Sequence, residues 1–215
     1  MLAFWRSTIG KKVVMAASGI ILVGFVIGHL LGNLLVFRGP DAMNEYAALL
    51  KANAALLWGV RSVLLFAVVL HIVAAVQLTR LDRAARPVRY ARQHHQAATI
   101  ASRSMRWGGL SLALFIVYHL LHFTTGTLHP TFSHTNVYGN MIAAFSEWWI
   151  ALIYVAAMVF LGLHLYHGVW SVGRTLGVAP RADESRKRRL ATAVALVVWL
   201  GFTSIPLAIL AGAGR

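Results

Sequence analysis

Five stretches of this chain are apolar for long enough that each must either cross a bilayer or be hidden in a very large core. They run approximately Val13–Phe37, Leu56–Thr79, Met105–Leu128, Trp148–Val172 and Leu190–Ala211. A helix of about 20 residues spans the roughly 30 Å of hydrocarbon in a membrane. A chain of 215 residues has no soluble core large enough for five such segments. The expected fold is therefore an all-α membrane protein: a single transmembrane domain over residues 1–215, with five helices. The first stretch is not a signal peptide, since its apolar run is too long and no small-x-small cleavage site follows in good context.

The charges between the spans set the orientation. Arg6, Lys11 and Lys12 precede the first span. Arg80, Arg83, Arg86, Arg89, Arg92 and Arg103 lie between the second and third, and Arg174, Arg181, Arg186, Lys187, Arg188 and Arg189 between the fourth and fifth. The opposite side has only Arg38 and Lys51, and no Lys or Arg occurs from His129 to Glu147. The positive-inside rule then puts the N-terminus in the cytoplasm and, after five crossings, the C-terminus outside. The net charge of +14 is thus topological. The basic residues lack the aromatic interleaving of an RNA-binding surface, so nucleic acid is not an expected partner. Trp58, Trp107, Trp148, Trp149 and Trp170 fall near span ends, where an aromatic belt belongs.

Six of the ten histidines lie inside spans: His29, His71, His119, His122, His164 and His167. An ionisable side chain at that depth faces the bundle interior and has a partner or a function. At about 1.5 Å per residue, His29 and His119 lie roughly 24 and 20 Å from the cytoplasmic ends of their helices, in the outer half. His71 and His164, on helices running the other way, lie roughly 10 Å or less from the cytoplasmic edge. Two pairs at two levels result, about 10–15 Å apart. A weak repeat selects the same residues: "HLLGN" at 29–33 resembles "HLLHF" at 119–123, and Ala75-Val76 follow His71 as Gly168-Val169 follow His164. Depth alone would slightly favour His122 over His119.

Two imidazoles at each level suit axial ligation of a low-spin b-type haem better than a bare metal, which needs three or four converging ligands. With no cysteine in the chain, covalent haem attachment and thiolate clusters are excluded. The expected core is four helices holding two haem b groups, with a fifth helix beside it. Gly24, Gly28 and Gly32, a small-residue stripe on the first helix, and Gly168 on the fourth serve helix packing, space for the macrocycle, or both.

"SGIILVGFVIGHLLGN" (18–33), "ASRSMRWGGLSLALFIVYHLLHF" (101–123) and "HLYHGVWS" (164–171) resemble the di-haem cytochrome b subunit of succinate dehydrogenases and the related fumarate reductases. The resemblance covers roughly residues 11–210. It implies a bacterial cytoplasmic-membrane anchor for a flavoprotein (FAD) subunit and an iron–sulfur subunit, relaying electrons through two haems to menaquinone, with association into a higher oligomer of the complex left open. By the family pattern His71 and His164 hold the cytoplasm-side haem, and His29 and His119 the outer one. Some fumarate reductases carry an acidic residue two positions before the fourth-helix ligand; here that position is Gly162, which favours succinate oxidation.

A quinone site needs an apolar slot with one or two proton-exchanging groups. Glu45, Asn44 and Tyr46 in the first outer loop and His129, His134 and Glu147 in the second are candidates, each balanced against a plain solvated-loop role. Arg61 is a candidate partner for an outer-haem propionate or a snorkelling cation. Arg103, Arg106 and Lys12 are the corresponding candidates for the inner haem. His94 and His95 sit in a basic loop facing water or a partner subunit. Competing functions are the cytochrome b of a hydrogenase or formate dehydrogenase, with different ligand spacing, and a haem-free anchor or transporter. The chain has no nucleotide-binding fingerprint and no dicarboxylate site, so succinate chemistry belongs to a partner.

Overall fold

A computed structural model describes residues 2–85, 99–129, 131–177 and 184–214. The described residues form helices α1 (Leu2–Arg6), α2 (Thr8–Asn33), α3 (Pro40–Ala52), α4 (Ala54–Ala84), α5 (Ile100–His119), α6 (Val137–Phe145), α7 (Trp148–Thr175) and α8 (Glu184–Leu210). A 3-10 turn at Leu34–Arg38 extends α2, and a π turn at Leu120–Thr124 extends α5. The expected all-α fold with five long apolar helices holds. The five candidate spans are Thr8–Arg38, Ala54–Ala84, Ile100–Thr124, Trp148–Thr175 and Glu184–Leu210. Their outward faces carry exposed Leu, Ile, Val and Phe, as surfaces that meet lipid should.

Local chemistry sets the helix ends. Ser7, Asn53, Thr99 and Asn136 each accept a hydrogen bond from a backbone N–H in the first turn of α2, α4, α5 and α6, satisfying an otherwise orphaned donor. Lys11, in the first turns of α2, is buried. Its Nζ donates to the carbonyls of Trp5 (2.7 Å) and Arg6 (3.0 Å), closing off α1. The third span ends at Thr124 and not at Leu128, because Gly126 turns the chain at φ +75°, with the Phe132 ring where a Cβ would stand.

The close-packed neighbours are α2 with α4, α5 with α7, α2 with α7, and α8 against α7 and α2. The close-packed contacts run in the order α4, α2, α7, α5, and among the described residues α4 and α5 are not close-packed with each other. The two diagonals, α2 to α5 and α4 to α7, are not close-packed. Both segments read as outer loops contain helices: α3 and α6 pack over the outer end of the bundle, where Met43, Met141, Ala144 and Phe145 are buried with Tyr154, Ile205 and Ile209. Where α2 crosses α8, Gly201 lies against Leu30, and a Cβ there would stand 2.8 Å from Leu30 Cδ1. Leu30 is itself buried against Leu165 and Val198 and has nowhere to move. Gly201→Val should therefore cost about 1–3 kcal/mol by overpacking. The expected result is a lower unfolding temperature for the detergent-solubilised protein, and an unchanged one would refute this account of the α2–α8 contact.

Candidate functional site

The histidines meet across the two unpacked diagonals. His29 on α2 and His119 on α5 have ring centroids 5.8 Å apart, nearly perpendicular at 82°. His71 on α4 and His164 on α7 have theirs 6.1 Å apart at 55°. Two imidazoles bound to opposite faces of one metal, with metal–nitrogen bonds of about 2 Å, place their ring centres about 6 Å apart. Among the described residues no group of three or more His, Asp or Glu converges as a bare-metal site requires.

One ring of the inner pair is oriented by the backbone. His71 Nδ1–H donates to the Met15 carbonyl (3.1 Å) and lies 3.2 Å from Ser18 Oγ, whose own proton goes to the Val14 carbonyl (2.7 Å). The Nε2 lone pair of His71 is left available. Gly19 and Gly109 sit beside this pair: a Cβ at Gly19 would lie 3.4 Å from His71 Cε1, and one at Gly109 4.0 Å from His164 Cε1. His164 Nδ1 is buried without a hydrogen-bond partner among the described residues. A buried polar atom left in that state is costly, and here it belongs to a ring facing another imidazole.

The other two span histidines are held elsewhere. His122 is fully buried, lies 3.0 Å from the Tyr154 hydroxyl through Nδ1, and stacks on Tyr118 (5.3 Å) and His129 (5.0 Å). Residues three apart on an α-helix differ by about 60° in azimuth, but a π turn winds about 4.4 residues per turn and widens that to roughly 115°. The Thr125 N–H to Leu120 carbonyl bond (2.9 Å) closes this wider turn and carries His122 away from His119. His167 lies edge-on to Trp170 at 5.8 Å. Of the glycine stripe, Gly24 and Gly28 face open space, as does Gly168, whereas the Tyr46 ring covers Gly32.

The remaining candidates divide. Arg61 is exposed and lies over Trp58 (5.1 Å), and Glu45, His134 and Glu147 are exposed at the outer end. Asn44 is occupied in bracing the two outer segments, through Asn136 (3.2 Å) and the Tyr138 N–H (3.0 Å). His129 is a buried structural residue and not a solvated one: Nε2–H donates to the Asn140 carbonyl (3.0 Å), and Nδ1 accepts from the Thr131 N–H (3.3 Å). At the end of the bundle that carries most of the basic residues, Arg106 is drawn to Asp82 (3.9 Å). Lys12 instead lines a cleft of about 400 Å³ together with Trp170, Ser171 and Arg174. Arg86, Arg89, Arg92, His94, His95 and Arg181 lie outside the described residues.

Sequence reasoning missed Tyr154, whose hydroxyl lies 3.0 Å from His122 and 3.4 Å from His119. The available signal was its position. Tyrosine is expected at membrane interfaces, and this one stands well inside "WWIALIYVAAM".

Residues 79–203, more than half of the chain, match the family described as succinate dehydrogenase/fumarate reductase transmembrane subunit. The chain belongs to this family. No curated protein and no solved structure matches it. As a succinate dehydrogenase/fumarate reductase transmembrane subunit it is a multi-pass membrane anchor that associates with the catalytic subunits of such an enzyme. Members often bind haem b and quinone. The matched stretch contains His119 and His164, while His29 and His71 precede it.

Proposed function

We propose that this subunit carries electrons from the iron–sulfur subunit of a succinate dehydrogenase to menaquinone through two b-type haems. His71 and His164 would hold the one near the cytoplasm, and His29 and His119 the one near the outer face. The observation that carries this reading is the pairing of histidine rings, at 5.8 and 6.1 Å, across the two helix diagonals that are not close-packed. A bis-histidine haem supplies a reversible one-electron carrier with no open coordination position. The chain's own residues do the rest. The Met15 carbonyl fixes the tautomer of His71. Lys12 and Arg174, in the cleft about two helical turns toward the cytoplasm from Gly19 and nearly three from His164, supply positive charge for acidic side groups. Exposed Glu45 and Glu147 are the groups placed to exchange protons with a quinone at the outer end. No acidic residue lies deep in any span, and Gly162 stands where a proton-conducting carboxylate would be needed, which supports the direction of succinate oxidation. The N-terminus is cytoplasmic by charge asymmetry, so the basic face docks the partner subunits.

A reduced-minus-oxidised absorbance spectrum of the purified subunit tests the reading. Two haems per chain with a b-type α band are expected, and their absence would overturn it. His122→Ala and His167→Ala should each keep both haems, since neither ring faces another ligand across a diagonal. Loss of a haem in His122→Ala with full retention in His119→Ala would reverse the outer assignment.

A further inference from the structure

We propose that Tyr154 is the positioning residue of the outer haem ligand His119, with its hydroxyl set by His122 behind it; this rests on the haem reading above. The Tyr154 hydroxyl stands between two imidazole nitrogens, 3.4 Å from His119 Nδ1 and 3.0 Å from His122 Nδ1. A phenol has one proton to give and lone pairs to accept with. If it gave that proton to His119 Nδ1, the His119 proton would sit on Nε2 and leave no lone pair for iron. Coordination therefore selects the other arrangement: His119 Nδ1–H donates to Tyr154, and the Tyr154 hydroxyl donates to His122 Nδ1. His122 is then the Nε2–H tautomer, and its Nε2 is the atom left buried without a partner among the described residues.

The surroundings fix this geometry. The Tyr154 ring is 7% exposed and held by Phe115 and Phe145 (both 5.0 Å) and by Phe123 (5.7 Å). The π turn supplies the acceptor, because it turns His122 further from His119 in azimuth and sets its Nδ1 3.0 Å from the same hydroxyl. Met15 does the same service for His71 in the inner pair, but through a backbone carbonyl that substitution cannot remove. In the outer pair the orienting group is a side chain, so it can be deleted as a single oxygen.

The test is Tyr154→Phe in the assembled complex, which keeps every aromatic contact and removes the hydroxyl alone. A donor hydrogen bond from the distal nitrogen raises ligand basicity, and deleting such a partner typically weakens binding about 10–100-fold. Haem affinity at the outer site should fall by about that factor. The midpoint potential of the outer haem should rise, and its ferric low-spin resonance should shift, while the inner haem stays as in the wild type. The component lost in His119→Ala assigns the outer haem. His122→Leu, which removes the acceptor behind the hydroxyl, should shift the same resonance by less, and His122→Gln, which can still accept, should restore it. Two haems with the outer potential, affinity and resonance unchanged in Tyr154→Phe would overturn the proposal and leave the haem reading standing. Should that variant fail to assemble, an unchanged outer haem in His122→Leu overturns it equally. A wild-type chain without haem would instead defeat the underlying reading.

Discussion

Loss of one haem, and only one, is the expected result of His71→Ala and equally of His164→Ala. The two rings meet only each other across the α4–α7 diagonal, 6.1 Å apart, and the outer pair meets across a different diagonal on different helices. On the haem reading, His71 and His164 would hold one group between them, so removing either would take away half of its protein attachment, whereas the pair His29 and His119 would be untouched. Haem content should fall from two per chain to one in pyridine-haemochrome assays. The surviving component should be the one that disappears in His29→Ala. Two haems retained in either inner variant would remove that residue from the ligand set.

Succinate oxidation should be wholly absent from the isolated subunit and present once the catalytic subunits are added. The chain contains no nucleotide-binding fingerprint and, among the described residues, no grouping of nucleophile, base and orienting residue. What it offers the partners is charge: Arg80, Arg83, Arg103, Arg106 and Arg174 and the run from Arg186 to Arg189 crowd one end of the bundle, at the termini of α4, α5, α7 and α8. Purified subunit should accept electrons from dithionite and bind quinone analogues. Succinate should reduce its haems only in the reconstituted complex, and that reduction should be lost when both inner ligands are removed. Reversing several of these arginines should weaken assembly more at low salt than at high, since screening over about 10 Å at 0.1 M already erodes such attraction. Succinate turnover by this chain alone, or haem reduction indifferent to the inner ligands, would sink the relay.

The spans and the pairing of histidine rings were legible because both rest on one-dimensional quantities. Hydrophobic length and the side on which Arg and Lys fall can be counted along a sequence. So can depth along a helix, which set His29 level with His119 and His71 level with His164, and these are the rings that face one another. What could not be counted was anything that depends on local winding or on a distant partner. An α-helical reading already set His122 about 60° in azimuth from His119. The π turn, which has no strong residue signature, widened that angle. The outer segments read as loops because polar residues such as Asn44, Asn136 and Asn140 interrupt them, yet those residues brace and cap α3 and α6. Tyr154 looked like one more apolar residue of α7 until His119 and His122 closed on its hydroxyl.

The unpacked diagonals bear on how the protein is made. Helices that face each other across a diagonal without close packing are held to one another by fewer dispersion contacts than their length would provide. A prosthetic group held between such helices binds the folded form alone, so its free concentration enters the folding equilibrium directly. On the haem reading, biosynthesis of the porphyrin and accumulation of the anchor would thereby be tied together. In a cell starved of iron or of porphyrin precursor, newly inserted chains would remain loosely associated in the membrane, exposed to quality-control proteases. The amount of assembled enzyme would then follow cofactor supply without any dedicated regulator.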